Sequence, residues 1–275
     1  MSPLLSAEHV SKVFVRGGLF SRQRVTAVDD VSFSMVADAP EVLTIIGESG
    51  SGKSTLARMI LGIHAPSSGR IVFEGEEVSA RVARDRHAFM AKVQPIFQNP
   101  FESFNPLKKL DRYLFMTAER FGRAGRGNVE RVCDEALGAV GLSLAEVRGR
   151  FPHELSGGQL QRAAIARALV SRPRLIVADE PVSMVDASLR MSIVNLFSRL
   201  KREFGLTIIY ITHDLATAYH ISDRLIIMRR GQIVETGEAR GVLSAPKHPY
   251  SQMLKDAVLT PDSAGIFRSS VQSRL

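Results

Sequence analysis

Apolar and polar positions alternate over residues 5–14 and again over 25–36, the period of strands with one wet face. The segment 16–24 between them is rich in Gly and Arg and reads as a loop. A short β-branched apolar run at 41–46 predicts a buried strand, and a glycine-rich turn follows it. From Ser54 the spacing becomes helical, with Leu56, Met59, Ile60 and Ile63 on one face. Ser67-Ser68-Gly69 and Glu74-Gly75-Glu76 punctuate a further hairpin. The stretch 99–172 has few β-branched runs and several amphipathic segments, such as 129–140, which predicts a helical lobe. Strand and helix patterns then alternate at 175–178, 188–204, 207–211, 214–221 and 224–228, the form of stacked βα units on a parallel sheet. A short helix and a polar tail are expected from about Pro246, and no internal repeat is visible.

Composition narrows the class without choosing a function. The 275 residues are 45% hydrophobic and 23% charged, enough apolar content to fill a core and exclude disorder as the main state. A single cysteine, Cys133, excludes a disulfide framework and a cysteine-built zinc or iron–sulfur cluster. No basic stretch followed by a long apolar core opens the chain, so no signal peptide is expected. No run approaches the ~20 apolar residues of a spanning helix. The net charge of +8 suits a solvated surface, nucleic acid or an anionic membrane face. The chain lacks an aromatic-rich basic strand of the kind that stacks bases, so no nucleic-acid partner is expected.

The strongest chemical signal is the run Gly47, Glu48, Ser49, Gly50, Ser51, Gly52, Lys53, Ser54, with Thr55 beside it, between a predicted strand and a predicted helix. Glycines let backbone N–H groups curl toward phosphate oxygens, and the helix N-terminus adds its positive dipole end. Lys53 can reach the β- and γ-phosphates, and the Ser54 hydroxyl can bind Mg²⁺. This pattern predicts a nucleoside triphosphate site. A second signal is the apolar run at 175–178, which delivers Asp179 to a strand end as a Mg²⁺ ligand. Glu180 follows, placed to polarise an attacking water as general base. Alone, two acidic residues at a strand end are common; paired with the phosphate loop they acquire a role. The third signal is Leu155-Ser156-Gly157-Gly158-Gln159, where a Ser-Gly-Gly turn opens a helix and forms a second anion nest.

Together these residues resemble the ATP-binding subunits of ABC transporters, over nearly the whole chain and in that family's order. The resemblance implies an α/β fold: a P-loop NTPase (ABC ATPase) core with an N-terminal antiparallel β subdomain and an inserted helical subdomain. It further implies ATP and Mg²⁺ as cofactors and ATP hydrolysis as the activity. Gln98 matches the glutamine loop, which senses Mg²⁺ and contacts the membrane subunit. Ser183-Met184-Val185-Asp186 is similar to the D-loop, with Met-Val where Ala-Leu is usual and Asp186 retained. His213 matches the switch histidine at the γ-phosphate. Phe14 is the candidate adenine-stacking aromatic, with plain core packing as the competing role.

Two segments resemble the dipeptide/oligopeptide/nickel importer branch: the run from Gln98 to Pro106, and His248-Pro249-Tyr250-Ser251-Gln252-Met253-Leu254. The implied organisation is an ATPase domain over 1–245, with its helical subdomain at about 99–172, and an importer-type His-Pro-Tyr segment and tail over 246–275. The implied partners are a second ATP-binding subunit in a head-to-tail dimer, two membrane permease subunits and an extracytoplasmic solute-binding protein. The implied location is peripheral, on the cytoplasmic face of the membrane. Asp38-Ala39-Pro40-Glu41 replaces the usual Gly-Glu turn and is expected only to reshape a surface hairpin. The cysteine-containing tail of some branch members is absent. A non-transport ABC ATPase, such as a carbon–phosphorus lyase accessory subunit, resembles the same branch and remains open on these residues.

Overall fold

The computed structural model describes residues 2–16, 23–121 and 127–258. Strand β1 (Pro3–Arg16) pairs antiparallel with β2 (Gln23–Val36) as a long ribbon. Both strands run further than alternation predicts: Arg16 pairs with Gln23 and Val15 with Arg24, so these ends of the expected loop are strand. Described side chains at that tip, such as Val15 and Val25, are exposed, which leaves no buried face to write a period-2 pattern. Residues 17–22 of that loop lie outside the described residues. Strand β3 (Val42–Ile46) is buried along its whole length and leads through residues 47–52 into helix α1 (Lys53–Ile60). Strands β4 (Ser68–Phe73) and β5 (Glu76–Glu77) complete an antiparallel sheet of order β2-β1-β4-β5.

Helix α2 (Val78–Lys92) has no counterpart in the sequence reading. It breaks at Asp85 (φ −152°, ψ 88°) and buries only Val78 and Phe89, so it carries almost no apolar stripe. Strand β6 (Val93–Ile96) then enters the second sheet. Between it and its neighbour β7 (Leu175–Asp179) the ordered elements are helical: α3 (Leu110–Arg120), α4 (Val129–Ala139), α5 (Leu144–Val147) and α6 (Gly157–Leu169), with 3₁₀ turns at Pro100–Ser103 and Pro152–Glu154.

The chain continues through α7 (Ala187–Phe204), β8 (Thr207–Ile211), α8 (Leu215–Ile221), β9 (Arg224–Arg229), β10 (Gln232–Glu238), α9 (Ala239–Ser244) and α10 (Pro249–Val258). The second sheet has the order β10-β9-β3-β8-β7-β6; all its pairs are parallel except β10 with β9. Its buried strands read as near-continuous apolar runs for that reason. Alternate residues serve different cores. Leu175 and Val177 pack with α1 and the antiparallel sheet, whereas Ile176 and Ala178 pack with the helical region. The polar tail expected beyond α10 lies outside the described residues. Among the described residues no helix is long and apolar enough to cross a membrane.

Register brings the chemistry to one edge. Ile45 of β3 and Asp179 of β7 both pair with Ile211 of β8. Neighbouring strands lie ~4.8 Å apart, so the residues that follow each strand emerge side by side: Gly47 onward, Glu180, and Thr212-His213.

Candidate functional site

Residues 47–52 form a tight loop because two glycines remove side chains that have nowhere to go. Gly47 sits at φ +154°, and a Cβ there would come 2.1 Å from the Met228 carbonyl oxygen. Gly52 sits at φ +104°, where a Cβ would come 2.3 Å from the Ala27 carbonyl oxygen. The loop closes on Lys53, whose Nζ donates to the carbonyls of Gly47 (2.7 Å) and Glu48 (2.8 Å). Ser51 N donates to the Glu48 carbonyl at 3.1 Å, and Gly231 N, in the β9–β10 turn, donates to the Ser51 carbonyl at 3.0 Å. Burial pulls the Lys53 ammonium below the ordinary lysine range, against the opposing pull of Glu180, Asp179 and Glu48. A desolvated cation among carbonyls is primed for a polyanion. Ser49, Gly50 and Ser54 are exposed around it, and Thr55 is half-buried.

Strand β7 ends at Asp179, and Glu180 follows in the left-handed region (φ 47°). That conformation is costly for a glutamate, by about 1–3 kcal/mol, and such strain persists where the surroundings hold it. Here Glu180 N donates to the Ile211 carbonyl at 2.9 Å, and Ser183 Oγ donates to the Glu180 carbonyl at 3.0 Å. The strain aims the carboxylate: Oε2 accepts from Gln98 Nε2 at 3.2 Å, and Oε1 lies 3.1 Å from His213 Nδ1. Gln98 and His213 are both exposed. Three residues selected separately in the sequence therefore meet on one carboxylate.

Asp179 offers a fit for a cation. Its Oδ1 is buried without a hydrogen-bond partner, and the Ser54 side chain lies beside the carboxyl. Burial pushes this carboxyl above its ordinary range, outweighing Ser54, Arg58 and Lys53, which pull it down. An orphaned, desolvated carboxylate oxygen beside a hydroxyl suits Mg²⁺, which binds through one or two carboxylates plus substrate phosphates rather than an all-protein cage. No group of three or more His, Cys, Asp or Glu that could hold a metal occurs among the described residues. The donor set therefore matches a nucleotide-borne cation.

The second nest stands apart in its bonding. Ser156 caps α6: Gln159 N donates to Ser156 Oγ (3.2 Å) and Ser156 N donates to Gln159 Oε1 (3.1 Å), a closed capping box. Ser156 and Gly157 are exposed, whereas Gly158 is buried against Leu189 of α7, whose Cδ1 would lie 3.0 Å from a Cβ at that position. Asp186 precedes α7 with its side chain exposed and unused as a cap. Phe14 lies near the ribbon tip, 36% exposed, with its ring edge-on to His64 (5.8 Å) and Lys12 Nζ 5.3 Å from its centroid.

One contact at the loop escaped the sequence reading. Glu48 N donates to the hydroxyl of Tyr250 at 2.9 Å, across 202 residues of chain. Tyr250 belongs to the His-Pro-Tyr segment, which is visible in sequence, but no local spacing says where it docks.

Residues 28–183 match the family model described as ABC transporter. The oligopeptide transport ATP-binding protein AppF of Bacillus subtilis is 42% identical over 262 residues, which cover 93% of this chain and 78% of that protein. The dipeptide transport ATP-binding protein DppF of Haemophilus influenzae is 38% identical, covering 93% and 78%. Among solved structures, a dimeric ATP-binding cassette in a post-hydrolysis state bound to ADP and Pi superposes with a TM-score of 0.73 at 26% identity, covering 86% of this chain and 99% of that one. The sheet pair, the helical insertion between β6 and β7 and the phosphate loop follow the same architecture. The chain thus belongs to the ABC transporter family, and its activity is ATP hydrolysis.

Proposed function

We propose that this chain powers a peptide-type importer from the cytoplasmic face of the membrane, through an ATP-driven dimer. The observation that carries this reading is the convergence of Gln98 and His213 on the two oxygens of Glu180, beside Lys53 and Asp179. In it, Gly47, Glu48, Ser49, Gly50, Ser51, Gly52, Lys53, Ser54 and Thr55 take the phosphates, with Phe14 at the adenine. Ser54, Asp179 and Gln98 hold Mg²⁺, which when bound neutralises phosphate charge. Glu180 accepts the proton of the attacking water, worth roughly 10²–10⁴-fold in rate, and His213 stands at the γ-phosphate.

Ser156, Gly157, Gly158, Gln159 and Asp186 serve the nucleotide of a second subunit, identical or paralogous, in a head-to-tail dimer. The exposure of Ser156, Gly157 and Asp186, and the mutual capping of Ser156 and Gln159, fit that role, since the anion partner of this nest must come from outside. ATP contacting both nests favours the closed dimer by differential contacts, and hydrolysis removes that preference. For the permease subunits, a groove of about 470 Å³ beside Gln98 is lined by Met90, Phe97, Tyr113, Met116 and Arg167. A permease segment seated there touches both the sheet and the helical region. We assign the ATPase domain to 1–245, with a helical subdomain at about 99–172, and the importer-type segment to 246–275. Peptide as cargo, and an extracytoplasmic solute-binding protein as the further partner, follow from the relatives named for oligopeptide and dipeptide transport. Purification of the tagged chain from its native membranes tests the reading. Recovery of two permeases whose binding protein takes peptides is the expected result; recovery of a soluble lyase complex overturns it.

A further inference from the structure

We propose that Tyr250 is a positioning residue of the phosphate loop, which makes the His-Pro-Tyr helix α10 a structural part of the nucleotide site. The inference rests on the reading of Gly47 to Ser54 as that site.

Glu48 is the hinge point between strand β3 and the loop, and its backbone is held from two sides. Its N–H donates to the Tyr250 hydroxyl oxygen (2.9 Å), and its carbonyl accepts from Lys53 Nζ (2.8 Å) and Ser51 N (3.1 Å). Gly47, immediately before it, has a φ of +154° open to glycine alone and offers little intrinsic stiffness. The tyrosine hydroxyl supplies the stiffness that Gly47 lacks. Without it the Gly47–Glu48 peptide can turn, and the Gly47 carbonyl that anchors Lys53 turns with it.

Tyr250 is itself rigidly mounted. It is 2% exposed and packs in the cluster that includes Ile46, Leu215, Ile227 and Leu243. The Arg229 guanidinium lies 4.8 Å from its ring centroid, a cation–π contact. Its backbone N donates to His248 Nδ1 at 3.1 Å. The start of α10 is tied to β10 by the Glu235 carboxylate, which accepts from Lys247 N (2.9 Å) and His248 N (3.0 Å). Burial pushes the phenol above its ordinary range, so the hydroxyl stays neutral across the physiological span. A continuous path of fixed groups therefore runs from β10 through α10 to the loop.

A loop held in its binding conformation before ATP arrives loses less freedom on binding. One neutral hydrogen bond of this kind corresponds to about 2- to 10-fold in affinity. The test uses the full chain and ATP with Mg²⁺, comparing wild type, Tyr250→Phe, Tyr250→Leu and Lys53→Ala. Calorimetry gives Kd, steady-state assays give KM and kcat, and melting without nucleotide gives Tm. Tyr250→Phe keeps the ring and loses only the hydroxyl. Its Kd and KM for ATP are expected to rise by about 2- to 10-fold with kcat unchanged, and nucleotide-free Tm to fall by only about 1–4 °C. Tyr250→Leu is expected to lower Tm further. The proposal falls if Tyr250→Phe binds ATP like wild type and only Tyr250→Leu is impaired, since packing would then be the tyrosine's whole contribution. Wild-type affinity in Lys53→Ala would overturn the phosphate-loop reading and the proposal with it. Lost affinity in Lys53→Ala alone would overturn only the role of Tyr250.

Discussion

Oε1 of Glu180 lies 3.1 Å from Nδ1 of His213, while Oε2 accepts from Gln98 Nε2 at 3.2 Å. An amide at position 180 keeps the size and one acceptor but cannot take a proton from water. Glu180→Gln is therefore expected to slow ATP turnover by roughly 10²–10⁴-fold while ATP affinity stays near wild type. ATP-bound dimers should then accumulate on gel filtration. Wild-type steady-state hydrolysis in this variant would remove Glu180 from the mechanism.

Gly52 gives a sharper test of the loop than any charged residue, because its requirement is purely steric. A Cβ at Gly52 would lie 2.3 Å from the Ala27 carbonyl oxygen at a φ of +104°. Gly52→Ala must move either the loop or β2, at about 1–3 kcal/mol, equivalent to a Tm lower by about 2–5 °C. The start of α1 moves with it, so Lys53 leaves its carbonyls and ATP binding is lost. Gly50, whose Cβ would meet nothing within 4 Å, is the control. Gly50→Ala strains only its own φ of +80° and should keep more affinity than Gly52→Ala by calorimetry.

The contrast between these sites shows what a linear reading can reach. Strands β3, β7 and β8 were legible because full burial writes an apolar run, and the phosphate loop because its glycines sit between that run and a helix. Helix α2 was not, since a broken helix that buries two residues writes no stripe. Nor was the ribbon tip, where exposed side chains erase alternation. Gln98 and His213 could be selected by family likeness and Glu180 by its place after a strand, but their meeting depends on the β8-β7-β6 register, which no local spacing encodes. The Tyr250–Glu48 bond spans 202 residues and was invisible for the same reason.

Cys133 provides a reporter on the helical region. It is the chain's only cysteine, fully buried in α4, and burial, aided by Glu119 and Glu130, pushes its thiol up to about 12. Only the thiolate attacks disulfide reagents. At pH 8 the native chain is therefore expected to react at least about 10²-fold more slowly than the chain in denaturant. Reaction of the native chain at the denatured rate would mean that the packing around α4 opens freely.

Asp179 carries the site's conflict between stability and function. Burial raises its carboxyl above the ordinary value of 3.8, and its Oδ1 has no protein partner. The folded chain thus holds that proton more tightly than the unfolded chain does. Stability is highest below pH 3.8 as far as this group is concerned, falls as pH rises from 3.8 to the raised value, and stays lower above it. Asparagine has the same shape and no charge to desolvate. Asp179→Asn is expected to raise the nucleotide-free Tm at pH 7, with the gain over wild type shrinking as the pH is lowered toward 3.8. The same variant should lose ATP hydrolysis, together with most of the extra thermal stabilisation that Mg²⁺ adds to ATP. Melting curves with and without Mg²⁺ and ATP at pH 7 separate the two effects. A nucleotide-free Tm below wild type at pH 7 would show that Asp179 stabilises the empty site, and a wild-type response to Mg²⁺ would remove it from the cation's ligands.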